Sequence, residues 1–429
     1  MKSIKINPIK KIVGSIRLKG DKSISHRTVM IASIAEGRSV IKNFLKSADC
    51  LYTVKAFQGL GVDIRFLGED LIIEGAGLGG LKKPQGDIYL GNSGTSMRLI
   101  SGILAGQAFE TTLTGDESLS SRPMHRIIEP LRLMGARISA REDNFAPLTI
   151  KGGKLKAIRY KSKVASAQVK SAVMLAALYV DGVTELEEPV KSRDHTERML
   201  SLFGAKMVID DQKVTLYGSQ RLKAQAFEIP GDISSAAFFI TAALLLKGSE
   251  LVIKDILSNR TRTGLLDALT NMGGDISIEN KHFNGCEDIC DITVKYSSLK
   301  GISIEKDKIP SIIDELPILM VAALFAEGDT LIKGAGELRV KETDRIDSMT
   351  AALTGMGADI SVDGDDIKIR GNKSIKGAKV ASLGDHRTAM ALVVAALASN
   401  GESEINDIGC IDTSFPEFFD LMESVSVKN

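Results

Sequence analysis

Apolar helix-like segments that end at a glycine and run into a short β-type stretch recur six times along the chain. They read IASIAEGRSVI, ISGILAGQAFETTL, MLAALYVDGVTEL, TAALLLKGSELVI, VAALFAEGDTLI and VVAALASNGESEI. By subtraction, their glycines lie 69, 76, 66, 80 and 73 residues apart: Gly37, Gly106, Gly182, Gly248, Gly328 and Gly401. Segments such as AALLL and ALVVAALA are apolar on nearly every face. Each repeat therefore predicts one helix that is surrounded by protein.

A second pattern, out of phase with the first, predicts a half-exposed helix in each unit. It ends at the glycines Gly61, Gly135, Gly204, Gly273 and Gly357. Before the last of these, Ile346, Met349 and Leu353 fall at helical spacing, and the glycine would supply the left-handed residue that closes the helix. Short alternating stretches such as 359–363 predict strands. The order in each repeat is then roughly βαβαββ.

The repeat length favours closed pseudo-symmetric domains, because solenoid repeats are shorter. A single core rarely grows past ~300 residues, so six repeats predict two domains of three. The break at Pro230-Gly231 places a boundary there. We predict an N-terminal domain at 20–229 and a C-terminal domain formed by 1–19 plus 230–429.

Composition excludes several function classes. The 55 Lys and Arg residues nearly cancel the 54 Asp and Glu residues, and the chain has no Trp, which argues against nucleic-acid binding. The apolar run 236–246 is too short to span a bilayer, and residues 1–11 lack a following signal-peptide core, so we expect a cytoplasmic protein without membrane contact. The four scattered cysteines indicate neither a disulfide framework nor a zinc site.

Polar clusters precede the apolar helices. They are GDKSISHR (20–27), GNSGTSMR (91–98), SAQVKS (166–171), GDISS (231–235), DELP (314–317) and GDHR (384–387). Helix N-termini carry unpaired N–H groups and a partial positive charge, which favour phosphates and carboxylates. Caps are the alternative for the small polar residues Ser25, Ser166, Asp232 and Ser234. Caps do not explain Lys22 and Arg27, because cations are disfavoured there unless an anion lies between.

Further basic residues suit an anionic ligand: Arg122, Arg193, Lys341, Arg345 and Arg387. Arginine offers a planar fork to two oxygens, and lysine a compact charge. For ELRVKETDR, however, the pattern alone favours a solvated helix with Glu337, Lys341 and Arg345 stacked at i, i+4 spacing. The protonation of His386, which lies between Asp385 and Arg387, would respond to a bound anion. No Walker A or GxGxxG motif supports a nucleotide cofactor.

Eight motifs, in order from Lys22 to about Pro416, closely resemble the 5-enolpyruvylshikimate-3-phosphate synthase family: GDKSISHR, GNSGTSMRL, SSRPM, SAQVKSA, PGDISSAAFF, DELPILMVAALFAEG, ELRVKETDRI and GDHRTAMAL. The resemblance implies an α/β fold known as an inside-out α/β barrel. It has two pseudo-threefold domains, each of three βαβαββ repeats whose buried parallel helices point their N-termini at an interdomain cleft. The family transfers the enolpyruvyl group of phosphoenolpyruvate to shikimate 3-phosphate, in chorismate and aromatic amino acid biosynthesis, and uses no metal or cofactor. The resemblance also implies a monomer and glyphosate as an inhibitor.

The resemblance assigns site residues by motif. Those for shikimate 3-phosphate are Lys22, Ser23, Arg27, Ser166, Ala167, Gln168, Arg193, Asp314 and Lys341. Those for phosphoenolpyruvate are Lys22, Asn92, Gly94, Arg122, Gln168, Glu342, Arg345, His386 and Arg387. The predicted catalytic groups are Asp314 at the attacking hydroxyl, with Glu342 and Lys22 at the methylene carbon and the leaving group.

The chain departs from the family pattern at two positions. Thr413 stands where many members have lysine, and Glu337 stands where some have asparagine. Leu99 after Met97-Arg98, and SAQ in place of SSQ, place it closer to the subgroup often less sensitive to glyphosate.

Two alternatives stay open at this point. One is the related enolpyruvyl transferase that acts on UDP-N-acetylglucosamine, whose loop cysteine has no counterpart in 114–122. The other is a noncatalytic anion-binding repeat protein.

Overall fold

The structure, a computed structural model, describes residues 2–371 and 374–428. Its α-helices are α1 (Lys22–Ser33), α2 (Ala48–Gly59), α3 (Gly94–Ala105), α4 (Glu117–Ser121), α5 (His125–Leu133), α6 (Ala167–Ala177), α7 (His195–Leu202), α8 (Ile233–Leu245), α9 (Gly264–Asn271), α10 (Ile309–Ile312), α11 (Leu316–Leu324), α12 (Arg345–Gly355), α13 (His386–Leu397) and α14 (Phe418–Val425). Short 3₁₀ helices cover Lys306–Lys308, Gly336–Val340 and Ile408–Thr413. Within those described ranges, no helix is long and apolar enough to cross a membrane.

The strands are β1 (Ser3–Ile6), β2 (Ile9–Arg17), β3 (Glu36–Lys42), β4 (Asp63–Leu67), β5 (Asp70–Ala76), β6 (Ile88–Tyr89), β7 (Glu110–Thr114), β8 (Arg137–Arg141), β9 (Phe145–Lys151), β10 (Arg159–Lys161), β11 (Val183–Glu187), β12 (Met207–Asp210), β13 (Lys213–Tyr217), β14 (Ala226–Glu228), β15 (Glu250–Leu257), β16 (Asp275–Phe283), β17 (Asp288–Lys295), β18 (Ser303–Ile304), β19 (Asp329–Ile332), β20 (Asp359–Asp363), β21 (Asp366–Arg370), β22 (Lys379–Ala381), β23 (Ser403–Asn406) and β24 (Ser426–Lys428).

The contacts between residues divide the chain into two units. The N-terminal unit comprises Gly20–Ile229 together with the short segment Asn284–Glu287. The C-terminal unit comprises the chain up to Lys19, Pro230–Phe283 and the chain from Asp288 onward.

The N-terminal unit contains three four-stranded sheets of the same topology, ordered β14-β3-β5-β4, β6-β7-β9-β8 and β10-β11-β13-β12. In each sheet the first two strands are parallel and the remaining pairs are antiparallel. In the second and third sheets the crossover between the parallel strands is the buried helix, α3 or α6, and in all three sheets the last two strands form an antiparallel hairpin. This is the predicted βαβαββ repeat.

The C-terminal unit repeats the pattern with two departures. Its sheets are ordered β16-β17-β15-β2-β24, β18-β19-β21-β20 and β1-β23-β22. In the first sheet, β24 adds a fifth strand by pairing antiparallel with β2. Among the described residues, the last sheet has three strands, and one of them is β1, which pairs antiparallel with β23. The predicted α/β fold of two domains with repeated units is confirmed, and the last repeat takes one strand from the beginning of the chain.

Two strands pair with a strand of one unit although the helix that follows them in sequence belongs to the other unit. β2 precedes α1, but it pairs in parallel with β15 of the C-terminal unit. β14 precedes α8, but it pairs in parallel with β3 of the N-terminal unit. The C-terminal unit thus receives a parallel strand from the beginning of the chain, and the N-terminal unit receives one from its own last residues.

The helices of the two sequence patterns differ in burial, as predicted. α8 is buried at every residue from Ile233 to Leu244, and α11 along its whole length. α12 instead buries one face, which includes Ile346, Met349 and Leu353. The glycines that close the half-exposed helices have φ between +87° and +101°, the left-handed region in which glycine avoids a steric cost: Gly61, Gly135, Gly204, Gly273 and Gly357.

Candidate functional site

The beginning of α1 holds two of the cations that the sequence singled out. Lys22 Nζ lies 2.5 Å from Asp49 Oδ2, and the lysine side chain is 17% exposed. Arg27 is buried and donates from Nε to Thr196 Oγ1 (2.7 Å) and from Nη2 to Ser171 Oγ (2.9 Å). Both cations are therefore held in fixed orientations at a helix N-terminus, where an anionic ligand is favoured.

The capping alternative applies to some of the polar residues. Ser166 caps α6 and Asp232 caps α8 through their side-chain oxygens. The caps predicted at Ser25 and Ser234 are wrong. Ser25 Oγ accepts from the backbone N–H of Leu45, and Ser234 Oγ donates to Glu315, because the aspartates that precede these serines already cap the helices.

The beginning of α3 brings Asn92 and Gly94 next to Arg122. Arg122 donates from Nη1 to the Asn92 carbonyl (3.1 Å) and from Nη2 to the Asn92 side-chain oxygen. A Cβ added at Gly94 would lie 3.3 Å from Arg122 Nη1 and 2.9 Å from Arg98 Nη1. Glycine is thus the residue that leaves room for both guanidinium groups.

Hydrogen bonds join the beginnings of α1, α3 and α6. Arg98 of α3 donates to Gln168 Oε1 of α6 (2.6 Å), and Gln168 donates to Thr95 Oγ1 (3.0 Å). Arg27 of α1 reaches Ser171 of α6. Within the N-terminal unit, three motifs that are far apart in sequence therefore form one polar cluster.

His26 completes the link between α1 and α3. Its Nδ1 lies 2.7 Å from Thr53 Oγ1, which in turn lies 2.6 Å from Ser96 Oγ. Burial, with added repulsion from Lys22 and Arg27, lowers the pKa of His26 well below its usual value. His26 is therefore neutral at physiological pH and acts as a structural hydrogen-bonding group.

In the C-terminal unit, three carboxylates surround Arg345. Its Nε lies 2.7 Å from Asp385, its Nη2 lies 2.5 Å from Glu342, and its Nη1 lies 3.4 Å from Asp314. The Arg345 side chain is 1% exposed. Burial alone would lower its pKa, but Asp385, Glu342 and Asp314 outweigh burial and raise the pKa above its usual value.

The solvated helix that the pattern favoured for ELRVKETDR is wrong. A 3₁₀ helix covers Gly336–Val340, and α12 begins only at Arg345, with Asp344 as its cap. Glu337 and Lys341 consequently do not share a helix with Arg345. The partners Asp314 and Asp385 are distant in sequence, so local periodicity carries no sign of them.

Arg387 lies at the beginning of α13 beside the same carboxylates. It donates from Nη1 to the Asp314 carbonyl (3.0 Å), and its Nη2 lies 3.7 Å from Asp314 Oδ2. Asp385 caps α13 through its Oδ1, which accepts from the backbone N–H of Arg387 (2.8 Å). Asp385 thereby connects the beginnings of α12 and α13.

None of the site residues assigned by the resemblance is exposed in the structure. Ser23, Ala167, Arg193 and Lys341 are half-buried, and His386 is buried. Thr413, where many members carry lysine, donates its hydroxyl to the Cys410 carbonyl (2.7 Å).

Sequence reasoning missed three groups in contact with the assigned residues. Asp49 pairs with Lys22, Arg98 holds Gln168, and Thr196 accepts from Arg27. A signal existed for Arg98, because it ends the GNSGTSMR cluster. Asp49 and Thr196 lie in half-exposed helices, where a carboxylate or hydroxyl is ordinary.

The arrangement offers anion-binding cations and carboxylates that can exchange protons. Across residues 2–371 and 374–428, no group of three or more His, Cys, Asp or Glu side chains is placed to hold a metal ion. The chemistry that the described side chains themselves can supply is acid–base transfer beside a bound anion.

Comparison with known proteins gives one consistent result. A family model described as EPSP synthase (3-phosphoshikimate 1-carboxyvinyltransferase) matches residues 6–422. The chain is 52% identical over 406 residues to the 3-phosphoshikimate 1-carboxyvinyltransferase of Thermoanaerobacter sp. (strain X514), covering 95% of this chain and 96% of the relative. It is 48% identical over 430 residues to that of Bacillus licheniformis, covering 100% of each. The structure matches EPSP synthase from Acinetobacter baumannii with a TM-score of 0.89 and 43% identity, covering 100% of this chain and 99% of the other.

Proposed function

Because this chain belongs to the EPSP synthase family, we propose that it transfers the enolpyruvyl group of phosphoenolpyruvate to the 5-hydroxyl of shikimate 3-phosphate. Inorganic phosphate is the second product. The reaction belongs to the biosynthesis of chorismate and the aromatic amino acids. The observation that carries the proposal is the family match over residues 6–422, which includes each of the anion-binding clusters described above.

Residues of the N-terminal unit supply part of the binding. We assign Lys22, Ser23, Arg27, Ser166, Ala167, Gln168 and Arg193 to shikimate 3-phosphate, and Lys22, Asn92, Gly94, Arg122 and Gln168 to phosphoenolpyruvate. The hydrogen bonds that fix Arg27 and Arg122 support this assignment, because a preorganised guanidinium loses less entropy when it binds an anion.

Residues of the C-terminal unit supply further binding groups and the two carboxylates that we assign to proton transfer. We assign Asp314 and Lys341 to shikimate 3-phosphate, and Glu342, Arg345, His386 and Arg387 to phosphoenolpyruvate. Arg345 contacts both Asp314 and Glu342 and therefore orients both carboxylates at once.

The reaction is an addition followed by an elimination. In the addition, the 5-hydroxyl oxygen bonds to C2 of phosphoenolpyruvate, Asp314 takes the hydroxyl proton, and C3 gains a proton from Glu342 or Lys22. In the elimination, the group that protonated C3 takes a proton back from it, the C2–O bond breaks with its electron pair leaving on phosphate, and the C2–C3 double bond forms again. General acid–base catalysis of this kind contributes roughly 10²–10⁴-fold in rate.

The test is phosphate release by the purified chain with both substrates and without added metal. UDP-N-acetylglucosamine serves as the parallel acceptor. Release with shikimate 3-phosphate alone is the expected result. Release only with the sugar nucleotide would transfer the chain to the related transferase, and release with neither would leave only an anion-binding protein.

Family membership is also the basis for three further proposals. We expect glyphosate to inhibit phosphate release, the chain to be a monomer, and the enzyme to act in the cytoplasm. Light scattering at the chain mass of 46.0 kDa, inhibition assays and cell fractionation test them separately.

A further inference from the structure

A buried lysine lies between two buried glutamates in the N-terminal unit, next to residues assigned to shikimate 3-phosphate. Lys170 Nζ is 2.8 Å from Glu188 Oε2 and 2.7 Å from Glu197 Oε1. All three side chains are only 2% exposed. Lys170 lies in α6, Glu188 follows β11, and Glu197 is in the first turn of α7. One ammonium group therefore ties three elements together.

This cluster is a costly way to obtain stability. Moving charged groups out of water costs several kcal/mol per ion, and well-packed apolar residues often serve a fold as well as a buried ion pair. The cluster also holds two carboxylates for one ammonium. Glu197 Oε2 is buried and has no hydrogen-bond partner in the described part of the chain. A purely structural role does not explain why the fold keeps these buried charges.

The cluster does fix the loop that carries Arg193. Glu188 accepts from the Ser192 hydroxyl (2.6 Å) and from the Ser192 backbone N–H (3.3 Å). Lys170 Nζ reaches the Ser192 carbonyl at 3.5 Å. The backbone N–H, the backbone carbonyl and the hydroxyl of Ser192 are thereby all bonded to the cluster, so the position of the next residue, Arg193, depends on Lys170.

The cluster also supports Arg27 through adjacent residues. Ser171 follows Lys170, and Thr196 precedes Glu197. These two neighbours bond to each other (2.6 Å), and both accept from Arg27. The ion cluster on one side and the hydroxyl pair on the other thus connect α6 to α7 at consecutive residues.

We propose that Lys170, with Glu188 and Glu197, is a positioning residue for shikimate 3-phosphate: it fixes Arg193 and Arg27 without touching the substrate. The inference rests on the proposed function. If the Lys170 ammonium is lost, the 188–194 loop and α7 can move. This movement weakens binding of the phosphate group of shikimate 3-phosphate. Neither Arg193 nor Arg27 is assigned to phosphoenolpyruvate, which therefore keeps its affinity.

The protonation of the cluster is consistent with this role. Burial disfavours the Lys170 ammonium, but Glu197 and Glu188 outweigh burial and raise its pKa above the usual value. Burial raises the pKa of Glu197, against the lowering effect of Lys170. The ammonium therefore stays charged over the working pH range, and the geometry that it imposes does not depend on pH there.

The test compares Lys170→Met with Lys170→Arg and with the control Lys161→Met. Lys161 forms an equally short ion pair with Glu187 (2.8 Å), but it is 74% exposed. Circular dichroism and thermal melting establish that each variant is folded. For folded Lys170→Met we expect KM for shikimate 3-phosphate to rise about tenfold or more, as when a charged hydrogen bond is lost. KM for phosphoenolpyruvate should stay within about twofold at saturating co-substrate. Lys170→Arg should restore part of the loss, and Lys161→Met should change nothing.

A second variant decides the matter if Lys170→Met does not fold. Ser192→Ala removes the hydroxyl that Glu188 holds, and it introduces no buried charge. A selective rise in KM for shikimate 3-phosphate supports the positioning role. Unchanged constants in a folded variant, or equal rises for both substrates, overturn it. Absence of phosphate release by the wild-type chain would overturn the proposed function itself, so the two failures are distinguishable.

Discussion

Replacing Arg345 with methionine tests whether one buried cation holds three carboxylates in place. Methionine is uncharged and flexible, so Asp314, Glu342 and Asp385 would face one another without their common partner. Removing one member of a buried ion pair costs about 3–5 kcal/mol, because the remaining charge stays buried. Asp314 and Glu342 keep 17% and 21% of their side-chain exposure, and this solvent contact favours the lower end, about 3 kcal/mol.

The loss should depend on pH. Three clustered carboxylates repel one another, so the folded variant gains stability when they take up protons, and the deficit relative to wild type should shrink as the pH falls. In the wild type, the raised pKa of Arg345 keeps the guanidinium charged at every pH of the experiment. The arginine itself therefore adds no pH dependence.

Urea unfolding monitored by circular dichroism measures the loss of stability, since the chain has no Trp whose fluorescence could report unfolding. Arg339→Met is the matched control. Arg339 also lies near three carboxylates, at 2.9 Å from Asp344, 3.1 Å from Asp347 and 3.6 Å from Asp365, but it is 32% exposed. Solvent-exposed ion pairs contribute little, so its loss should be much smaller. Equal losses in the two variants, or a deficit for Arg345→Met that does not change with pH, would refute the reasoning.

Three further predictions concern activity and pH. Asp314→Asn and Glu342→Gln should each lower kcat by about 10²–10⁴-fold with little change in KM, measured by steady-state phosphate release; equal losses in both constants would contradict their assignment as proton-transfer groups. Arg27→Lys should raise KM for shikimate 3-phosphate about tenfold, because an ammonium cannot replace the planar guanidinium that donates to Thr196, Ser171 and the Ser23 carbonyl, and an unchanged KM would contradict this. The pKa of His26 is depressed in the folded state, so the unfolded state takes up the proton first and the free energy of unfolding falls as the pH drops below about 6.5. His26→Asn should reduce this dependence of unfolding free energy on pH, measured by urea titrations at several pH values. An unchanged pH dependence would count against a neutral, buried His26.

Most of the fold could be predicted from the hydrophobic pattern. Helices such as α8 are apolar on all faces and are buried on all faces, and glycines such as Gly357 have the left-handed φ that the pattern predicts. The composition of the last sheet could not be predicted, because the partner of β23 is β1, some 400 residues earlier in the chain. Such pairing is decided by tertiary contacts, which local periodicity does not record.

The contacts among the candidate residues were predictable where several motifs agreed and not where one residue stood alone. The motif resemblance named Arg27 and Arg345, but the pattern around Arg345 alone favoured a solvated helix. Lys170 had a sequence signal, since it is the single charged residue in the mainly apolar stretch 169–180. Its partners Glu188 and Glu197 had none, because a glutamate after a strand or in the first turn of a helix is ordinary.

The three carboxylates around Arg345 differ in solvent exposure. This difference bears on which of them we propose as proton-transfer groups. Asp385 is fully buried, and its two oxygens are used by Arg345 and by the cap of α13. A group held in this way orients its partners and is not free to reach a substrate. Asp314 and Glu342 keep solvent contact, and Asp314 lies 3.4 Å from Arg345 and 3.7 Å from Arg387, which are longer distances than the 2.7 Å between Asp385 and Arg345. A proton-transfer group must reach its substrate and change charge without breaking the fold, so the geometry favours Asp314 and Glu342 over Asp385 for catalysis.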